Sequence, residues 1–349
     1  MTGQFKKSFS RFNVAVFLYL VCTCSWATNF TLQSINDSVI GEIRSTHSEL
    51  QDTLLDIARA HSLGYQEIKL LNPGLDTWIP GKGQEILLPL QFVLPDAPRK
   101  GIVLNIPEMR LYYYPKQRRN GKIQVITYPL GIGREGWSTP YIKTNIIEKK
   151  KNPKWYPPKS IRIEHEEAGD PLPEIVESGP DNPLGEYALR LGQPDYLIHG
   201  TNKPFGIGMR VSHGCIRLYP EDIESLFNHV QLGTSVNIVN QPYKVGELND
   251  VIYLEAHPHL LEDAQRYAGL TEIVKLIIEM TQERKFEIDW NLVNQVVEEH
   301  KGIPVAIGMH IPAMQASVES KALEVSEIAI ATNDGVDLRL ETKIRQDPE

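Results

Sequence analysis

Cysteine is nearly absent from this chain: three in 349 residues, with Cys215 the only one beyond residue 24. A lone thiol forms no internal disulfide, so a disulfide-stapled scaffold is excluded after that point, and Cys215 stands as a reactive or intermolecular thiol. Long apolar runs are also missing. The stretch from Val14 to Cys22 falls short of the ~18 residues a membrane-spanning helix needs. Positive charge is not in surplus: 36 Lys and Arg against 44 Asp and Glu give a net charge of −8. A nucleic-acid partner is therefore not expected. Metal-ligand spacing is lacking too. Glu164, His165, Glu166, Glu167 and Asp170 lie close together in a pattern that reads as a solvated charged turn. What is present is a 41% hydrophobic composition, enough for packed cores, over a length that implies two or three domains.

The first 27 residues read as a secretory signal peptide. Lys6, Lys7 and Arg11 form a basic start, the apolar run follows, and Ser25-Trp26-Ala27 places small residues at the −3 and −1 positions of a cleavage site. An uncleaved anchor is the alternative. Val21 and Thr23 are poor neighbours for a lipidated Cys22 or Cys24. Removal of this segment would leave Cys215 as the sole thiol.

The chemistry concentrates in one stretch. It runs from Leu197-Ile198-His199-Gly200-Thr201 to Val211-Ser212-His213-Gly214-Cys215-Ile216-Arg217-Leu218, and its first His and its Cys are sixteen residues apart. A thiol attacks as thiolate and needs a base or a positive charge beside it. A neutral imidazole meets that need near working pH. Gly214 permits a backbone conformation that a β-carbon forbids, so a sharp turn there can aim the Cys215 amide at a developing oxyanion. His199 stands at the end of a strand-like pair, Leu197-Ile198, and Tyr187–Leu191 reads as another strand. From the residues alone either His199 or His213 serves as the base.

Around this stretch the chain divides readily. In residues 28–91, Val39–Ile43 reads as a short strand, and Asp52 as a helix N-cap before Leu54, Leu55, Ile57 and Ala58. Gly64 reads as a helix stop, Ile68, Leu70 and Leu71 as a second helix, and Glu85–Pro89 as a strand. Residues 92–97, with Pro95 and Asp96, continue into Ala97-Pro98-Arg99-Lys100 as a stiff, solvated linker. Residues 98–240 open with strands at Gly101–Asn105, Met109–Tyr114 and Val125–Leu130, which point to an all-β sandwich or barrel. From there to His199 lies a long segment of little periodicity, rich in Pro, Trp and charge, which reads as a lid or substrate wall. Pro220–Phe227 reads as a helix with acids in its first turn, and Gly233–Val239 as a closing strand. In residues 241–349, Ile273, Leu276, Ile277 and Met280, then Leu292, Val293, Val296 and Val297, fall on single helical faces. A helical extension is expected there, with a partly disordered end and no chemistry.

The pattern His199 … Ser212-His213-Gly214-Cys215 resembles the L,D-transpeptidase family of bacterial cell-wall enzymes, with a YkuD-type catalytic domain, and the string from Ile198 to Arg210 is similar to its periplasmic Gram-negative branch. Arg217 stands where an Asn is often found. The resemblance covers about residues 98–240 and implies a largely β fold. It implies Cys215 as nucleophile and His199 as proton acceptor, oriented by a carbonyl near Gly200. It assigns His213 to substrate or oxyanion contact, and Gly214 to the turn that places the Cys215 amide. Ser212, Arg217, Arg210 and Gly200 would meet the donor, the two arginines through a carboxylate. No cofactor or metal is implied. The implied donor is a peptidoglycan stem tetrapeptide. The implied acceptors are another stem, an outer-membrane lipoprotein lysine, a D-amino acid or water. The implied compartment is the periplasm, and carbapenem sensitivity is expected. Tyr141-Ile142-Lys143 after Thr139-Pro140 departs from the family's small residue and Gly. Residues 28–91 resemble the LysM module, a βααβ unit that binds glycan strands, through Asp52-Thr53-Leu54, Ile57-Ala58, Leu71-Asn72-Pro73, Gly83, Ile86 and Pro89. Two rival readings differ in class. A papain-like cell-wall amidase places its Cys ahead of its His. A glycan-binding protein with a decayed catalytic domain would not need the intact His-Gly-Cys.

Overall fold

A computed structural model describes residues 28–34, 36–116 and 122–312. The expected signal peptide and the last residues of the C-terminal extension lie outside this range. Among the described residues the fold is mainly β, with six α-helices.

The N-terminal part contains β1 (Thr28–Thr31), β2 (Val39–Gly41), β3 (Arg44–His47), α1 (Leu54–Ala60), α2 (Tyr65–Leu71), β4 (Glu85–Leu88) and β5 (Gln91–Val93). β3 pairs with β4 around the two helices, and β2 pairs with β5, both antiparallel. The strand expected over 39–43 ends at Gly41, and a separate strand, β3, begins at Arg44. Gly41 breaks it: its φ is +77°, and a Cβ there would meet the Leu90 carbonyl oxygen at 1.9 Å. Thr53, rather than Asp52, caps α1, in a capping box with Asp56. Gly64 caps the start of α2 instead of ending α1, with Glu67 reaching back to its amide. β1 belongs elsewhere, pairing with a strand of the central sheet.

The central part holds β6 (Gly101–Asn105), β7 (Arg110–Tyr114), β8 (Gln124–Pro129), β9 (Ile132–Gly133), β10 (Lys143–Lys151), α3 (Lys159–Glu167), β11 (Tyr187–Leu191), β12 (Leu197–His199), β13 (Arg210–Ser212), β14 (Ile216–Arg217), α4 (Pro220–His229) and β15 (Ser235–Val239). Nine strands form one sheet in the order β1-β8-β7-β6-β15-β10-β11-β12-β14, and β9 pairs with β13. The segment of little periodicity, read as a lid or substrate wall, is therefore not without regular structure. It contains β10 and α3, whose Lys- and Glu-rich sequences mask their periodicity.

β6 and β7 show why this sheet sits at the centre. Their alternate residues enter two different cores. Ile102, Leu104, Leu111 and Tyr113 face the main catalytic core. Val103, Tyr112 and Tyr114 face a second core with Leu54, Ile57, Ile68, Ile86 and Phe92 of the N-terminal part. The solvated linker is likewise corrected: Phe92, Val93 and Leu94 are buried, because this apolar run forms β5 and packs into that second core. A buried ion pair adds to the contact. Arg110 on β7 donates to Glu67 on α2 at 2.6 and 2.9 Å, and to Thr127 and the Ser62 carbonyl.

The C-terminal part is not simply helical. The expected helices are present as α5 (Thr271–Thr281) and α6 (Trp290–Glu299), and they pack on a four-stranded sheet. Its strands β16 (Tyr243–Leu248), β17 (Val251–Ala256), β18 (Phe286–Ile288) and β19 (Pro304–His310) take the order β16-β17-β19-β18. Asn249 and Asp250 both have positive φ and form the tight turn between β16 and β17. The domain is anchored through Lys244, whose ammonium lies 2.8 Å from both Glu108 and Glu255, all buried. Glu255 also meets His257 at 2.6 Å. The cation in this nest of donors is the lysine itself. Among the described residues no helix is long and apolar enough to cross a membrane.

Candidate active site

The sheet brings the two ends of the motif together. β12 and β14 are parallel neighbours, with Ile198 opposite Ile216 and His199 opposite Arg217. Residues opposite one another in a parallel pair point to the same face, and Cys215 immediately precedes β14. Folding thus reduces a sixteen-residue separation to adjacent strands.

Cys215 is a partly buried free thiol. Gly214 before it has φ +99°, the conformation that only a residue without Cβ takes at ease. Both carbonyls flanking the Cys215 α-carbon are held by buried hydroxyls. Ser212 Oγ donates to the Cys215 carbonyl at 2.6 Å, and Thr139 Oγ1 donates to the Gly214 carbonyl at 3.0 Å. The sulfur lies 3.6 Å from the Asp195 carbonyl oxygen. Burial pushes the thiol pKa up, while the Leu197 amide and the Arg217 charge pull the other way.

His199 is buried, and its Nδ1 lies 2.6 Å from the Gly200 carbonyl oxygen. A carbonyl only accepts, so Nδ1 carries the proton and Nε2 holds the free lone pair. Burial, with the Arg217 charge second, pulls the imidazole pKa down from 6.5 to about 3. The resting site therefore holds a neutral imidazole and a neutral thiol. Arg217 is itself largely desolvated, which lowers its pKa, and its buried Nε has no hydrogen-bond partner among the described residues.

His213 faces other groups. Its Nε2 lies 3.1 Å from both Glu164 Oε2 on α3 and Arg134 Nη2, and its ring meets the Trp137 ring edge-on with centroids 4.9 Å apart. Arg134 also pairs directly with Glu164. These contacts occupy Nε2 and make His213 part of a wall.

Arg210, read as a carboxylate holder, already grips one. It forms a two-point pair with Glu262 of the C-terminal domain, at 2.8 and 3.1 Å. Glu262 also accepts from Ser138 at 2.9 Å, and Asp263 accepts from Tyr141 and Asn240. The extension expected to carry no chemistry thus reaches the cleft rim. It docks at Tyr141, where the sequence departs from the family pattern. Arg134, Trp137, Glu164 and Glu262 escaped the sequence reading as site residues, and Thr139 entered it only as the residue before Pro140. Only Glu164 carried a signal, as one of a cluster of acids.

Comparison with known proteins places this geometry. A family model described as the L,D-transpeptidase catalytic domain (YkuD) matches residues 99–238. The probable L,D-transpeptidase YcfS of Escherichia coli K12 is 42% identical over 73% of this chain and 80% of its own length. YbiS of the same organism, also a probable L,D-transpeptidase, is 38% identical over 82% of this chain and 94% of its own. ErfK/SrfK of Salmonella typhimurium, a third, is 36% identical over 85% and 97%. The mainly β fold and the matched catalytic domain define an enzyme of the transpeptidase class. The chain belongs to the L,D-transpeptidase family.

Proposed function

We propose that this protein is a periplasmic L,D-transpeptidase that works on peptidoglycan through a Cys215 thioester. The observation that carries the reading is the parallel pairing of His199 with Arg217 beside Cys215, with His199 Nδ1 tied to the Gly200 carbonyl. In the first step the thiol proton passes to His199 Nε2. The sulfur attacks the carbonyl joining diaminopimelate to terminal D-Ala of a stem tetrapeptide. The tetrahedral intermediate collapses, D-Ala leaves with the proton from the imidazolium, and a thioester remains. An amine then attacks the thioester and gives its proton to His199, the C–S bond breaks, and the imidazolium returns that proton to the Cys215 thiolate. The acceptor is a second stem, a lipoprotein lysine or a D-amino acid. Both partners rest neutral, so the thiol proton must move to His199 for the sulfur to attack as thiolate. Arg217, with an unpaired buried Nε, is suited to a donor carboxylate. Arg210 is not, since Glu262 holds it.

Residues 28–91 read as a LysM-like glycan-binding module, with its βααβ unit formed by β3, α1, α2 and β4. Leu50, Trp78 and Ile79 are exposed apolar side chains on its loops, 74%, 62% and 76% accessible, and suit sugar-face contact. Export by the N-terminal segment fits this substrate.

Intact mass spectrometry tests the proposal. The full chain mixed with disaccharide-tetrapeptide and D-methionine should gain the mass of an acyl group and release D-Ala. The Cys215→Ala variant should do neither. A folded wild type with an alkylatable thiol and no adduct would overturn the reading.

A further inference from the structure

We infer that Thr139 is a positioning residue that sets the Cys215 amide as an oxyanion donor. The inference rests on the acyl-transfer reading above. Thr139 is 3% exposed and lies at the end of the turn that follows β9. Its Oγ1 accepts from the Gly133 amide at 3.4 Å and donates to the Gly214 carbonyl at 3.0 Å. The hydroxyl is thereby committed as a donor in one direction.

The bond from Thr139 to Gly214 matters because of peptide geometry. The unit joining Gly214 to Cys215 is planar and trans, as no peptide bond in the described chain is cis. Its carbonyl and its amide therefore point in opposite directions. Fixing the Gly214 carbonyl on Thr139 fixes the Cys215 N–H on the far side, away from the turn. Glycine at 214 makes this unit easy to rotate, so something must hold it. On the other side of the cysteine, Ser212 holds the following carbonyl. Between them the two hydroxyls lock both peptide planes around the nucleophile.

The turn that carries Thr139 is itself braced. The Arg134 amide donates to the Ser212 carbonyl at 2.9 Å, and the Trp137 amide to the Arg134 carbonyl at 2.9 Å. The Trp137 carbonyl is packed so closely that a Cβ on Gly133 would lie 1.9 Å from it, and one on Gly214 3.5 Å. Ser138 is held by Glu262. A donor already aimed at the place where charge develops spends nothing on reorganisation during attack.

The test separates carbonyl chemistry from thiol chemistry. Acylation by a carbapenem or by the stem tetrapeptide develops an oxyanion, whereas alkylation by iodoacetamide does not. In the full chain, Thr139→Val should acylate about a hundredfold more slowly. Its rate of iodoacetamide alkylation should stay near wild type, and Thr139→Ser should restore acylation. Thr139→Ala gives the same comparison if the valine variant does not fold. Acylation within twofold of wild type in a folded variant would overturn the inference. So would acylation and alkylation falling together, which would mean that Thr139 merely supports the thiol. A wild type that alkylates yet forms no acyl-enzyme with either donor would overturn the acyl-transfer reading itself.

Discussion

His199 is an imidazole that the fold keeps uncharged. Burial and the Arg217 charge depress its pKa from 6.5 to about 3. Between those two values the unfolded chain binds a proton at this position and the folded chain does not. Stability contributed by this group is complete above pH 6.5 and is lost progressively as pH falls toward 3. The loss amounts to roughly 3 kcal/mol between pH 6.5 and 4. Urea titrations of wild type and His199→Asn across that window should show the wild type falling more steeply by about this amount. Parallel curves would mean that the folded imidazole titrates normally. The same depression keeps the ring unprotonated at rest but weakens it as a base, so the proton it takes from the thiol needs negative charge nearby to hold it. The tether from Nδ1 to the Gly200 carbonyl then ensures that the free nitrogen is Nε2.

At the scale of elements, α2 shows how one short helix serves two neighbours. Its N-terminus meets the catalytic loop, with the Tyr65 amide on the Ile207 carbonyl at 3.0 Å. Its Glu67 accepts from the Gly64 amide and pairs with Arg110 inside the protein. Glu67→Ala should lower stability by about 3–5 kcal/mol, since the Arg110 charge would remain buried without its carboxylate. Chemical denaturation measures this, and a loss below about 1 kcal/mol would show that water reaches Arg110. The elements differ in how plainly the sequence announces them. β6, β7 and α4 were legible because their apolar residues, proline and acids follow local rules. His199, Gly214 and Cys215 were legible because they sit in one compact motif. β10 was not, because Lys143–Lys151 is a charged edge-like string that becomes a strand only between β15 and β11. Thr139, Arg134 and Glu164 were not, because each reaches the motif from 49 to 79 residues away. The strands of the C-terminal part went unread because the 3.6-residue pattern of α5 and α6 is the stronger signal beside them.

The whole molecule is three cores joined by buried charge. The second core is shared between the N-terminal part and β6, β7 and β8, so neither side closes alone. The C-terminal core is separate. It joins the rest through Lys244, which neutralises Glu108 from the β6–β7 turn and Glu255 from β17, while Glu255 also takes the Val93 amide of β5. One ammonium therefore ties together all three parts. Replacing it by an apolar side chain leaves two carboxylates buried side by side without the ammonium, held only by His257 and the Val93 amide on Glu255 and by Tyr112 and Asn105 on Glu108. Calorimetry of the wild type should show one cooperative transition. Lys244→Met should split off an earlier transition, belonging to residues 241–312, while the catalytic core melts later. Before that first transition the rim contacts of Glu262 with Arg210 and Ser138 should persist, and transfer activity with them. Above it, activity should fall although most of the protein is still folded. A single transition in the variant would show that apolar packing, not the lysine, couples the domains.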